Sequence, residues 1–195
     1  MNDRTIRIGL VGAGAVAQTA HLPAYRRLRN GALVAICDAE SGKLRALRER
    51  TGVAHAVTSL DELLTLDEID AVDICLPSHQ HADAVIRSLE AGKHVLCEKP
   101  LGLDAAEVEA VLAAHQKSGR HLVVGMNNRY RDDSILLRKF IQDGALGEVF
   151  HARAGWLKRR DRVKPGAEGG VPKKTLSDTY RMDSAVRPAN GPAPR

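Results

Sequence analysis

The sequence predicts an α/β protein: a doubly wound parallel sheet, followed by a disordered tail. Three observations predict it. The stretch Ile6 to Ala17, IRIGLVGAGAVA, reads as a strand, a G-x-G-x-x-A turn and a helix-forming run. A second apolar run, Ala32 to Cys37, ends in an acid, Asp38, 21 residues after Ala17. Strand and helix signals then alternate through residue 142.

The first element sets the chemistry. Gly12 permits a tight turn, Gly14 lets a ligand approach the backbone, and small Ala17 lets the helix pack closely on the strand. A pyrophosphate would sit on Gly12, Ala13, Gly14, Ala15 and Val16, against N–H groups that open a helix, where the helix dipole favours negative charge. His21 precedes Leu22 and Pro23, and Pro23 breaks the first helix or begins a new turn. At the end of the second strand Asp38 suits the hydroxyls of an adenosine ribose. A carboxylate there repels a 2′-phosphate, so NAD is expected over NADP, although Lys43 and Arg45 nearby keep NADP open.

The remaining elements follow in order. Ser41 to Arg50 reads as a charged surface helix ended by Gly52, and Ala54 to Val57 as a short strand. Ser59 and Glu62 form a capping box for a helix over Leu60 to Thr65. Ala71 to Leu76 is a buried strand ending at Pro77, and His79 to Ala91 a helix with Ala82, Val85, Ile86 and Leu89 on one face. His94 to Cys97 is the next strand, followed by Glu98, Lys99 and Pro100. Asp104 and Glu107 cap a helix running to about Ser118; His121 to Val124 is a strand, Asp132 to Gln142 a helix, and Glu148 to Trp156 a further strand. Ligands of such sheets bind beyond the carboxyl ends of the strands. That rule gathers the turn glycines, Asp38, Leu76, Pro77, Ser78, His81, Glu98, Lys99, Asn127 and Asn128 as candidate cofactor contacts.

Composition excludes several classes. No apolar run approaches the roughly 18 residues of a membrane helix, and the start runs directly into the first strand without a signal peptide. Three cysteines without C-x-x-C spacing suggest buried thiols in a reducing cytoplasm. His79-Gln80-His81 offers two metal ligands and no third, so no metal site is expected. The net charge of +5 resides in the tail, where residues 157–195 carry ten Lys and Arg against four Asp and Glu. No aromatic interleaving or nucleic-acid motif accompanies it, so nucleic acid is not an expected partner. From Pro165 onward periodicity fails and five of the eight prolines occur, which predicts disorder. The division expected is 1–147 for the dinucleotide domain, 148–164 for a segment that opens with a further strand, and 165–195 for the tail.

Three segments together carry a family resemblance: LVGAGAVAQTAHLPA at Leu10–Ala24, DICLPSHQHADAVIRSLEAGKHVLCEKPL at Asp73–Leu101, and VVGMNNRYR at Val123–Arg131. They resemble the glucose–fructose oxidoreductase, inositol dehydrogenase and MocA-like (Gfo/Idh/MocA) family over roughly residues 4–164. The resemblance implies hydride transfer between NAD(P) and a hydroxyl-bearing carbon of a sugar or cyclitol. It implies that Lys99 of the E-K-P run is catalytic, near the reacting hydroxyl, with Glu98 and Pro100 shaping its loop and Asn127, Asn128 and Arg129 bordering the nicotinamide. A lysine there lowers the hydroxyl pKa and relays its proton. The family continues with a D-x-G-x-H segment that this sequence lacks, since no histidine follows His151. The resemblance thus implies a Rossmann NAD(P)-binding domain with only the start of a second α/β domain, 148–164 being the first strand of an incomplete substrate domain; the expectation is a truncated chain, its tail consistent with a frameshift, with little dehydrogenase activity of its own. Its unpartnered edge at Glu148 to Trp156 puts ordered homo-oligomerisation in doubt. The alternative is a non-catalytic nucleotide-binding module or partial gene product.

Overall fold

Apolar, β-rich runs of four to seven residues build the centre of the molecule. In the computed structural model, which describes residues 4–155, these are β1 (Ile6–Val11), β2 (Gly31–Cys37), β4 (Ala71–Ile74) and β5 (His94–Cys97). The shorter β3 (His55–Val57) and β6 (Leu122–Val124) close the two edges. All six strands are parallel, in the order β3-β2-β1-β4-β5-β6. The order reverses between β1 and β4, where open α/β sheets form their ligand crevice.

Strand alternation explains the layering. On β1, Leu10 joins Ala17, Leu22, Ile36, Leu44, Leu47 and Val53 on one face, while Val11 joins Leu63, Ile74, Val85, Leu89 and Val111 on the other. Helix α2 (Ser41–Thr51) covers the first face through Leu44 and Leu47. Helices α4 (His81–Glu90) and α5 (Ala105–Ser118) cover the second through Ala82, Val85, Leu89 and Val111. The two expected caps form: Ser59 Oγ accepts the Glu62 N–H at 3.2 Å ahead of α3 (Leu60–Leu64), and Asp104 accepts the Glu107 N–H at 2.9 Å ahead of α5.

The first helix departs from regularity. Residues 15–25 are continuously helical, but Ala17–His21 forms a π turn before α1 (Leu22–Tyr25). Pro23 is the second residue of α1, directly after the π turn, so it begins a new turn and does not end the helix. Ala17 is fully buried against β1 and β2, as the turn pattern requires.

The expected strand at Glu148 to Trp156 is not found over its described part, residues 148–155. A strand needs a neighbour to satisfy its backbone, and Val149 and Phe150 here are exposed, Phe150 at 93 %. The described residues divide into two units, one ending at Asn127 and the other beginning at Asn128, and the second contributes α6 (Asp132–Gln142). Among the described residues no helix is long and apolar enough to cross a membrane. Trp156, the basic segment and the tail expected to be disordered lie outside the described residues.

Candidate functional site

The parallel register brings the ends of five strands level. Val11 pairs with both Cys37 and Ile74, Ile74 with Cys97, and Cys97 with Val124. The next residue of each strand therefore stands in one row: Asp38, Gly12, Cys75, Glu98, Gly125. Backbone bonds carry the ladder one step further, Gly12 N–H to Cys37 O at 2.9 Å, Cys75 N–H to Val11 O at 2.7 Å, Glu98 N–H to Ile74 O at 2.9 Å and Gly125 N–H to Cys97 O at 2.7 Å. Periodicity alone thus delivers an acid, a turn glycine and the E-K-P loop to one edge.

The two turn glycines serve different purposes. Gly12 has φ +86°, and a Cβ on it would lie 2.7 Å from Cys75 O and 2.9 Å from Leu76 N. It makes the turn by letting two backbones touch. Gly14 is exposed, and a Cβ there would meet no atom within 4 Å. Ala13 is buried, whereas Ala15 and Val16 are exposed beside Gly14. Their amides open the helix, with no carbonyl a turn earlier to receive them.

Asp38 staples this turn. One oxygen accepts the Ala13 N–H at 2.8 Å, the other the Glu40 N–H at 3.0 Å, and Lys43 Nζ lies 3.0 and 3.1 Å from the two. Burial works to raise the Asp38 pKa, but these hydrogen bonds outweigh it and hold the carboxyl below its ordinary value. The residue expected to meet a ribose also shapes the glycine turn, and its nearest cation is Lys43.

Beyond β4, Pro77 is exposed and Ser78 half-buried, opening the short turn Ser78–Gln80. His81 is only 1 % exposed. Its Nδ1 lies 2.6 Å from Pro100 O and its Nε2 2.8 Å from Leu76 O, so it ties the end of β4 to the E-K-P loop. Any part it has in cofactor binding is indirect. In that loop Lys99 is exposed and the Lys99–Pro100 bond is cis. Asn127 is exposed at the end of the first unit, and Asn128 belongs to the second.

One constellation was not expected from sequence. Asp73, 1 % exposed within β4, accepts hydrogen bonds from His21 Nδ1 at 2.7 Å and from Tyr25 Oη at 2.5 Å. The other face of the His21 ring reaches Glu98, Nε2 to Oε1 at 3.3 Å. Two signals could have found it. An aspartate inside the apolar run AVDICL needs a buried donor, and His21 and Tyr25, four apart, share a helix face. The hydrogen bond to Asp73 raises the His21 pKa above its ordinary 6.5 against an opposing effect of burial. Burial, with Asp73 beside it, pushes the Tyr25 hydroxyl far up.

The donors of His21, Asp73 and Cys75 gather within 4.8 Å. They do not fit a metal. Asp73 already holds two short hydrogen bonds, and burial beside it pushes the Cys75 thiol far above its usual range. The other thiols are also raised by burial, Cys37 to about 11 and Cys97 to about 12, so Cys97 is no nucleophile. His79 is exposed and His81 faces two carbonyls, which separates the histidine pair.

Residues 6–126 match the family described as "Oxidoreductase family, NAD-binding Rossmann fold" (GFO_IDH_MocA). The chain is similar to an inositol 2-dehydrogenase of Rhizobium meliloti, 38% identical over 145 residues, covering 74% of this chain and 43% of that protein. Among solved structures it is similar to scyllo-inositol dehydrogenase from Lactobacillus casei with bound NAD(H) and scyllo-inositol, at TM-score 0.72 and 27% identity over 75% of this chain and 44% of that one. It is also similar to a variant of a 3-ketoreductase from Actinomadura kijaniata in complex with TDP-benzene and NADP, at TM-score 0.68 and 30% identity over 75% of this chain and 45% of that one. The chain spans less than half the length of each of these relatives.

Proposed function

From the premise that the chain belongs to the Gfo/Idh/MocA oxidoreductase family with its NAD-binding Rossmann fold, we propose that it binds NAD(H) along the row from Asp38 to Glu98. The bound cofactor would take hydride from a hydroxyl-bearing carbon of a cyclitol or sugar, or deliver it to the corresponding carbonyl carbon. The observation that carries the reading is the contrast between Gly12 and Gly14. Gly12 is closed against protein backbone, whereas the space over Gly14 is open beside the first amides of a helix. A pyrophosphate fits there, held by the N–H groups of Gly14, Ala15 and Val16.

Asp38 would take the ribose diol, which favours NAD over NADP because a 2′-phosphate would face a carboxylate. Lys43 partly neutralises that carboxylate, so the preference is expected to be moderate. Leu76, Pro77 and Ser78 would line the crevice between β1 and β4, and Asn127 its nicotinamide end. Once bound, the nicotinamide supplies the hydride chemistry. Lys99, exposed just after Glu98, would hydrogen-bond the substrate hydroxyl, and in its neutral amine form it would accept the proton that departs with oxidation and become the ammonium. The relatives' names point to inositols and glycosides as substrate class. A purely non-catalytic nucleotide module is disfavoured by the presence of Lys99 in its E-K-P loop beside that crevice.

Calorimetric titration tests this. NAD should bind at one site per chain and more tightly than NADP. Asp38→Ala should narrow the difference between the two cofactors. Equal affinities in the unaltered protein refute the assignment of Asp38, and no binding of either refutes the site.

A further inference from the structure

Resting on the assignment of Lys99 to the site, we propose that His21 is a positioning residue whose doubly donating imidazole ring, bridged between Asp73 and Glu98, holds the Glu98 carboxylate and through it the Lys99 main chain.

The geometry is a chain of contacts within the first unit. Asp73 Oδ2 receives His21 Nδ1 at 2.7 Å, and His21 Nε2 reaches Glu98 Oε1 at 3.3 Å. The second Glu98 oxygen, Oε2, accepts the Lys99 N–H at 3.1 Å. The Glu98 backbone is fixed separately by its N–H to Ile74 O at 2.9 Å, so what His21 adds is the direction of the side chain. Gly125 leaves room for it: a Cβ there would stand 3.1 Å from Glu98 Oε1. These bonds join three segments, the helix after the glycine turn, β4 and the E-K-P loop, in one chain of contacts.

Elementary hydrogen bonding decides the state of the ring. A carboxylate only accepts, and a neutral imidazole has one N–H. With carboxylates at both nitrogens, the neutral ring would turn a lone pair toward one of them. Only the imidazolium satisfies both, and it supplies the positive charge that a buried Asp73 requires. The titratable groups facing the ring and its partners are Tyr25 on α1, Asp73 and Cys75 at β4, and Cys97 and Glu98 at β5. No cation other than His21 is among them. The raised pKa of His21 agrees with this arrangement. Deprotonation should therefore release Glu98 Oε1 first, since 3.3 Å is the weaker of the two contacts.

Nuclear magnetic resonance of the whole chain without cofactor tests this independently of cofactor binding. The ring should titrate above 6.5, and both His21 nitrogens should carry protons below that midpoint. The amide signals of Lys99 and Gly125 should move with the same midpoint. In Glu98→Gln, where the carboxylate charge is gone, the Lys99 amide should no longer follow His21. A His21 midpoint at or below 6.5, or a Lys99 amide that stays still while His21 titrates, overturns the proposal. The unaltered protein alone gives these readings, so a variant that fails to fold does not remove the test. If the coupling is present but NAD does not bind, the cofactor reading fails and the positioning network stands.

Discussion

Gly12→Ala and Gly14→Ala should have opposite consequences, although both remove one glycine from the same turn. At Gly12 the backbone has φ +86°, and an alanine there costs about 1–2 kcal/mol for left-handed geometry. Its Cβ would also lie 2.7 Å from Cys75 O and 2.8 Å from Cys75 C, and main-chain atoms of a central strand cannot rotate away. Overpacking of that kind adds about 1–3 kcal/mol. The sum is roughly 2–5 kcal/mol, which at about 2–4 °C per kcal/mol for a chain of this size lowers the melting temperature by about 5–20 °C. At Gly14 nothing lies within 4 Å and no left-handed backbone is required. The melting temperature should change by less than about 2 °C, within the usual ±0.5 kcal/mol for surface changes. The methyl group would instead occupy the space assigned to the pyrophosphate and weaken NAD binding by about tenfold or more, about 1.4 kcal/mol. Thermal unfolding with calorimetric NAD titration reads both effects. A Gly12→Ala protein that melts like the parent, or a Gly14→Ala protein that binds NAD equally well, refutes the division of labour.

Three further outcomes are expected. Asp104→Ala removes the acceptor for the Glu107 N–H ahead of α5 and should cost about 0.5–2 kcal/mol in urea unfolding, with the m-value unchanged. At pH 8 the folded protein should react slowly with Ellman's reagent, because burial raises Cys37 to about 11, Cys97 to about 12 and Cys75 further, whereas all three thiols should react promptly in denaturant. Stability should fall at both ends of the pH range, read by melting temperature. The raised His21 pKa gives a contribution complete below 6.5 and lost as pH rises through the higher folded value, and the depressed Asp38 pKa gives one present above 3.8 and lost as pH falls through the lower folded value.

Sequence reading reached the fold because its signals were local. The glycine turn, the Ser59 and Asp104 caps and the apolar strands each declare themselves within a few residues, and a parallel sheet then follows from strict alternation. It also gathered Asp38, Glu98 and Lys99 at one edge, because strand ends are visible as the ends of apolar runs. The Asp73–His21–Glu98 contacts escaped it, since they join residues 52 and 77 positions apart and only packing brings them together. The π turn at Ala17–His21, which precedes α1, has no compositional mark. His81 reads from sequence as a candidate cofactor contact, and its burial follows from the loop carrying Pro100 folding over it. The strand expected at Glu148 to Trp156 came from β propensity alone, and propensity without a neighbouring strand does not make one.

The account stands or falls on where the cofactor sits, and amide chemical-shift mapping with NADH measures that directly. The account predicts that the largest changes fall on Gly12 to Val16, Asp38, Leu76 to Ser78, Glu98, Lys99 and Asn127. Changes confined to the opposite end of the strands, around Arg7, Asp70, His94 and His121, or no changes at saturating NADH, would contradict it.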